Sequence, residues 1–220
     1  LFYPTTATRL YGRLLRRPLP AHGTHSLPCC LPLSFHNMKI VFIRHTSVNV
    51  PPGTCYGQTD VPLANTFGQE AADVCRRLSV YEPFTAVYTS PLSRARKLAV
   101  FCGYPDAQPD DRLKEMNMGK WEMQRYDEIQ DPALQTWYKD YLYQPATGGE
   151  SFLQLRARVA SFLDDLRNEY PQSSRIAVFA HGGVLVAAAL YANLCSESEA
   201  FSYLPPYGGI VEILTDVGFN

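Results

Sequence analysis

Two histidines sit where chemistry explains them better than packing does. His45 closes the apolar run of VFIRHTS (41–47), with Arg44 beside it, and His181 closes the apolar run of VFAHGG (178–183). The first run ends in a permanent cation and a side chain that titrates near neutrality, and the second repeats the gesture. After Met38 there are no other histidines. A solvated surface histidine is the bland reading of either one alone, but it accounts poorly for two at the same kind of strand end. A third segment, TSPLSRARKLA (89–99), sets Arg94 one turn into a helix, from where its planar fork of N–H donors could reach back over a strand end. Arg96 and Lys97 fall on other faces of that helix and read as solvated charge. Arg44, His45, Arg94 and His181 together describe a compact cationic pocket. Backbone N–H groups of Gly182 and Gly183, at a helix start, would add to its preference for an anion. The expected ligand is a phosphate.

These residues need a scaffold that delivers several strand ends to one place. From Met38 onward, strand-like and helix-like patterns alternate as in an α/β fold with a largely parallel sheet, where ligands bind beyond the carboxyl ends of the strands. KIVFI (39–43), AVYTS (86–90), RIAVFAH (175–181) and GGIVEILTD (208–216) read as strands. Thr66 with Gln69, and Ser151 with Gln154, are capping-box patterns that open helices. The second of these helices places Phe152, Leu155, Val159, Phe162, Leu163 and Leu166 at helical spacing. Pro91 suits the first turn of the helix carrying Arg94, which should end near Gly103. A further helix is expected over 184–194. The region 112–147, rich in aromatics and charge, reads as a lid or side insertion with a helix over about 124–143, broken or restarted near Pro132.

Composition limits the remaining possibilities. The chain has 220 residues, 46% of them hydrophobic, enough for one domain with a sizeable core. Its most apolar stretch, 184–194, is shorter than the roughly 20 residues a membrane helix needs and contains Asn193. Residues 1–37 carry Arg9, Arg13, Arg16 and Arg17 and no acidic residue, a composition also seen in organellar transit peptides. They are read as an extension outside the fold, with the domain over 38–220 starting at Met38. Without those four arginines, 16 basic face 21 acidic residues, so a positive site must be local. Six cysteines show no CxxC pair and are read as reduced thiols of a cytoplasmic protein, with Cys75, Cys102 and Cys195 serving packing. No metal or other cofactor is expected. The expected partner is a small-molecule phosphate monoester, with no nucleic acid or membrane involved, and oligomeric state is left unassigned.

In this order, the RHT at 44–46, TSPLSRA at 89–95, ExxxGxWE at 115–122 and HGG at 181–183 resemble the histidine phosphatase superfamily on its phosphoglycerate mutase branch, over essentially all of 38–220. The resemblance implies a three-layer α/β/α sandwich. It implies His45 as a nucleophile that becomes phosphohistidine, Arg44, Arg94 and His181 on the phosphoryl oxygens, and Glu115 as proton donor, with Glu122 and Asp60 as competing carboxylates. Thr46 stands where glycine usually follows the RH pair, Pro51 where an asparagine is expected, and Met123 where WE is often followed by glycine. The loop VPPGTCYGQTDVPL (50–63) resembles that of α-ribazole-5′-phosphate phosphatases. On that reading Tyr56, Gly57, Gln58 and Thr59 form a substrate-contacting wall, although an ordinary turn would use the same residues. Alternatives are a phosphoglycerate mutase or broad-specificity sugar phosphate phosphatase of the same branch. From another class, an inactive phosphate-binding adapter would have lost His45 or Glu115, and both are present.

Overall fold

In a computed structural model the described residues are 37–200 and 202–215. The expectation that 1–37 is an extension outside the fold, and Cys29 and Cys30 with it, falls outside the described residues, apart from Asn37. Five strands form one sheet in the order β3-β2-β4-β1-β5. They are β1 (Met38–Arg44), β2 (Ala86–Thr89), β3 (Gln108–Pro109), β4 (Arg175–Ala180) and β5 (Ile210–Thr215). β1, β2 and β3 run parallel to their neighbours through β4 and β2, while β5 lies antiparallel on β1. The sheet is therefore largely parallel, as expected.

The alternation along β1 shows how the layers form. Ile40 and Phe42 point into one buried cluster, with Ile176 and Val178 of β4; Val41 and Ile43 point into another, with Ala177 and Phe179. Because successive strand residues face opposite sides, two apolar faces need two covering layers. α4 (Phe152–Glu169) and α5 (Gly182–Tyr191) cover the first face, α1 (Phe67–Leu78) and α2 (Ser93–Phe101) the second. All six apolar positions expected to face inward on α4 are buried, and Ser151 with Gln154 forms the full capping box. Gly103, at φ +92°, ends the turn after α2 in the left-handed region where glycine carries no steric cost.

Several expectations need correction. Thr66 does precede α1, but its hydroxyl makes no cap bond; it donates to Glu70 Oε1 at 2.5 Å, the carboxylate being the stronger acceptor. Residues 124–131 are not helical, with Arg125 in an antiparallel bridge to Thr54 and 126–128 in a turn, and over 124–143 only α3 (Ala133–Asp140) is α-helical, started by Pro132 and by Asp131, which accepts from the Ala133 N–H at 2.9 Å. The 112–147 region is no loose lid. Leu113, Met118, Trp121, Leu134 and Trp137 are buried in the α4/α5 core, and the two indoles meet edge to face at 5.9 Å. Finally, Cys75 and Cys102 are joined in a disulfide, with Cα atoms 5.2 Å apart. Adjacent helices of one layer bring together two cysteines 27 positions apart, a pairing that no local spacing signals. With these two paired, cysteine usage no longer argues for a reducing compartment. No helix among the described residues is long and apolar enough to cross a membrane.

Candidate active site

The register of the three central strands builds the site. Arg44 pairs with Ala180 and Thr89 with Phe179, so β1, β2 and β4 end level. The next residues extend the ladder by one bond each: His45 N–H donates to Ala180 O at 3.0 Å, and Ser90 N–H to Phe179 O at 2.8 Å. His45, Ser90 and His181 are thereby set side by side, all buried, with the two imidazole centroids 5.2 Å apart.

Hydrogen bonds assign the tautomers of both rings. His45 Nδ1 lies 2.7 Å from the Thr46 carbonyl, which can only accept, so Nδ1 carries the proton and the Nε2 lone pair is available. Burial pulls the His45 pKa well below 6.5, with the Arg94 and then the Arg44 charge adding to it against the Thr46 carbonyl. His181 Nδ1 accepts from Arg94 Nε at 3.2 Å, which leaves Nε2–H to donate to Ser90 Oγ at 2.7 Å. Burial first, then Arg94, depresses this histidine as well. Both rings are neutral, and the positive charge of the pocket resides on the arginines.

Arg94 is fully buried. Its other nitrogens donate to Gly57 O at 2.6 Å and Thr59 O at 2.9 Å. Arg44 donates to Pro205 O and lies over the Tyr207 ring, with Cζ 4.3 Å from the centroid. Its Nε is buried without a hydrogen-bond partner, as is Thr46 Oγ1. A Cβ on Gly182 would come within 3.3 Å of this guanidinium, so glycine there lets Arg44 approach α5. Neither arginine forms an ion pair with a carboxylate among the described residues. One buried and one part-buried cation beside a neutral nucleophilic nitrogen suit an oxyanion with charge on several oxygens.

The three carboxylates considered for proton transfer separate by their partners. Asp60 accepts from Ser93 N–H and Oγ–H at 2.9 and 2.8 Å, capping the start of α2. Glu122 accepts from the N–H groups of Gln58 (2.8 Å), Thr59 (2.5 Å) and Met118 (3.2 Å) and from the Thr59 hydroxyl. Burial raises its pKa, but these donors outweigh it and hold the carboxyl below its usual range, so Glu122 stays ionised. Glu115 reaches the helix start behind His181, where Oε2 accepts from Gly183 N–H at 3.1 Å, while Oε1 accepts from Met116 N–H at 2.8 Å. The acceptor at the α5 N-terminus is thus the protein's own Glu115 side chain. A Cβ on Gly183 would come within 2.4 Å of Oε1, so this glycine makes room for it.

The 56–59 loop turns most of its polarity inward. Gly57 O and Thr59 O hold Arg94, the Thr59 hydroxyl holds Glu122, and Gln58 Nε2 donates to Glu115 O at 3.2 Å. Gly57 is packed against Met116 O so closely that no side chain fits. Tyr56 is placed differently. Its ring lies 5.6 Å from Arg94 Cζ, and its hydroxyl pairs with that of Tyr207 at 2.7 Å. Met123, where glycine was the commoner residue, sits at φ +66°. Among the described residues, no group of three or more His, Cys, Asp or Glu side chains is arranged to hold a metal ion.

The family model for the histidine phosphatase superfamily (branch 1) matches residues 40–217, from within β1 to beyond the end of β5. The chain is an enzyme of the histidine phosphatase superfamily. A metal-independent phosphoserine phosphatase of Arabidopsis thaliana is 28% identical to it over 185 residues, 80% of this chain and 76% of that one. "Probable phosphoglycerate mutase GpmB" of Escherichia coli is 32% identical over 145 residues, 61% of this chain; the match spans 66% of the mutase's length. Among solved structures, a candidate α-ribazole-5′-P phosphatase of Escherichia coli superimposes with a TM-score of 0.72, covering 84% of this chain and all of that one, at 22% identity. That last likeness speaks to the fold.

Two residues of this histidine phosphatase's pocket escaped sequence reasoning. Ser90, which orients His181, could have been found by the strand-end logic that found the histidines, since it is the polar residue closing AVYTS. Tyr207, on the other face of Arg44, lies in the turn-rich PPYGG and has no such local signal.

Proposed function

We propose that this enzyme hydrolyses phosphate monoesters through a phosphohistidine intermediate. The observation that carries the reading is His45: a neutral imidazole with its Nδ1 proton committed to Thr46 and its Nε2 lone pair free, in a pocket with the buried Arg94 and the part-buried Arg44, neither of them in an ion pair among the described residues. Nε2 attacks phosphorus in line, the N–P bond forms, and the P–O bond to the leaving group breaks. Arg44 and Arg94 stabilise the equatorial oxygens as charge shifts onto them, while His181, whose two nitrogens are taken by Arg94 and Ser90, holds the Arg94 fork in place. Glu115 gives its proton to the departing oxygen. It then takes one from the water that cleaves the N–P bond, which releases inorganic phosphate and restores His45.

For the substrate, the 50–63 loop favours α-ribazole-5′-phosphate, with Tyr56 and Tyr207 facing the leaving group while Gln58 and Thr59 support the wall behind them. Phosphoserine is the second reading, favoured by the 28% identity over 80% of the chain to a phosphoserine phosphatase. The test is kcat/KM across α-ribazole-5′-phosphate, phosphoserine, 3-phosphoglycerate, sugar phosphates and p-nitrophenyl phosphate, with and without EDTA. It also needs an alkaline quench to trap acid-labile phosphate on the protein. The expected result is a preference of at least about tenfold for α-ribazole-5′-phosphate, and loss of both turnover and trapped phosphate in His45→Ala. Turnover near wild type in that variant would end the phosphohistidine reading; equal kcat/KM across the panel would remove only the α-ribazole-5′-phosphate assignment.

A further inference from the structure

Arg158, on α4, uses all five of its N–H donors within the protein. Nη1 donates to the carbonyls of Arg112 and Lys114, both at 2.6 Å; Nη2 donates to Glu115 O at 3.1 Å and Glu150 Oε1 at 2.6 Å; and Nε donates to Glu150 Oε2 at 3.2 Å. Glu150 Oε1 also accepts from Asn117 N–H at 2.8 Å. One half-buried ion pair thus fastens the backbone on both sides of Glu115, at 112, 114, 115 and 117, to a helix whose inner face is core. The Glu115 side chain hangs from that strap towards the α5 N-terminus. No strand register fixes the strap, because it lies outside the sheet.

We infer that Arg158, with Glu150, is a positioning residue for proton transfer: it sets where the Glu115 carboxyl stands relative to the leaving oxygen. The inference rests on the reading of Glu115 as the acid. A planar fork reaching three carbonyls and a carboxylate cannot be copied by lysine, which offers one ammonium centre and three donors. Displacement of an acid by about an ångström can cost on the order of 10²-fold in rate. That loss falls on substrates whose leaving oxygen needs the proton.

The test compares glycerol 2-phosphate, an alkoxide leaving group, with p-nitrophenyl phosphate, which departs with little help. It uses kcat/KM, because that ratio reports the steps through phosphoenzyme formation. Loss of folded protein scales both substrates equally and leaves their ratio untouched. Arg158→Lys is expected to lower the glycerol 2-phosphate value about tenfold or more while moving p-nitrophenyl phosphate by less than about threefold. Glu150→Gln should shift the ratio in the same direction by a smaller factor, and serves if Arg158→Lys folds poorly. Added to Glu115→Gln, Arg158→Lys should change the ratio no further, as expected when one residue acts through the other. If Glu115→Gln splits the substrates but Arg158→Lys and Glu150→Gln lower both equally, the positioning role is overturned and the acid stands. If Glu115→Gln itself gives no split, the acid assignment fails and the inference fails with it.

Discussion

The ends of β1, β2 and β4 and the wall formed by residues 53–60 and 112–122 meet at one pocket but are held in place by different forces. At the strand ends, His45, Ser90 and His181 follow directly from backbone pairing; their neighbours across the sheet are fixed by register, and the side chains are buried. In the wall, position depends on side chains that grip backbone: Glu122 on the N–H groups of 58, 59 and 118, Arg158 on the carbonyls of 112, 114 and 115. Arg94 links the two, since its Nε holds His181 and its terminal nitrogens hold Gly57 O and Thr59 O. The contrast teaches that the strand-end side chains of this pocket are placed by backbone register, whereas its wall, Glu115 included, is placed by side-chain bonds that tie loops down.

The largest expected effect tests the link. Arg94→Lys removes the fork and should lower kcat/KM by about 10²-fold or more, by a similar factor for p-nitrophenyl phosphate and for an alkyl phosphate, because stabilisation of the phosphoryl oxygens is common to both. Strong discrimination between those substrates would move Arg94 from the phosphate site to the wall. Next comes Glu122→Gln, which replaces an acceptor of four hydrogen bonds by a group with one acceptor oxygen. Denaturant unfolding should show a loss of about 1–3 kcal/mol, with activity reduced less than in Arg94→Lys. A variant as stable as wild type would show that the wall is not held through this carboxylate.

The smallest effect separates the regions by pH. Both histidines have pKa values depressed in the folded state, so on acidification the unfolded chain takes up their protons first, from about 6.5 downward, and stability falls until the folded values are reached. Between pH 7 and 5.5 this should cost roughly 1 kcal/mol per histidine. Glu122, lowered from its usual value of 4.5, behaves in another window: its contribution is complete above that value and is lost only as pH falls through the lower folded one. Unfolding curves of wild type and His181→Asn should therefore converge as the pH drops from 7 to 5.5, while Glu122→Gln should stay parallel to wild type over that range. Parallel curves for His181→Asn would mean that His181 is not the buried neutral ring described.

What could be read without coordinates, and what could not, divides along the same line. The α/β class and its largely parallel sheet followed from alternating apolar strands and amphipathic helices, patterns carried by consecutive residues, while the three-layer sandwich came with the family resemblance. His45, Arg44, His181 and Arg94 could be picked out because each sits at, or one turn beyond, the end of such a run. The Ser151 capping box was legible for the same reason, being settled within four residues. Thr66 was misread because Glu70, itself bonded to Ser47 N–H at 2.8 Å, competes for its hydroxyl. The Cys75–Cys102 bridge, the inward turn of the 56–59 loop, Tyr207 over Arg44 and the Arg158 strap have no local trace. The chain by itself determined which residues could handle a phosphate and the strand ends that present them, because strand periodicity and the apolar-to-polar break are local properties. Tertiary structure alone decided which imidazole nitrogen keeps its lone pair, which donors hold each carboxylate and which arginine fastens the segment carrying Glu115. Each of those outcomes is set by a hydrogen bond or a desolvated charge between residues far apart in sequence, whose strength depends on burial that the sequence does not state.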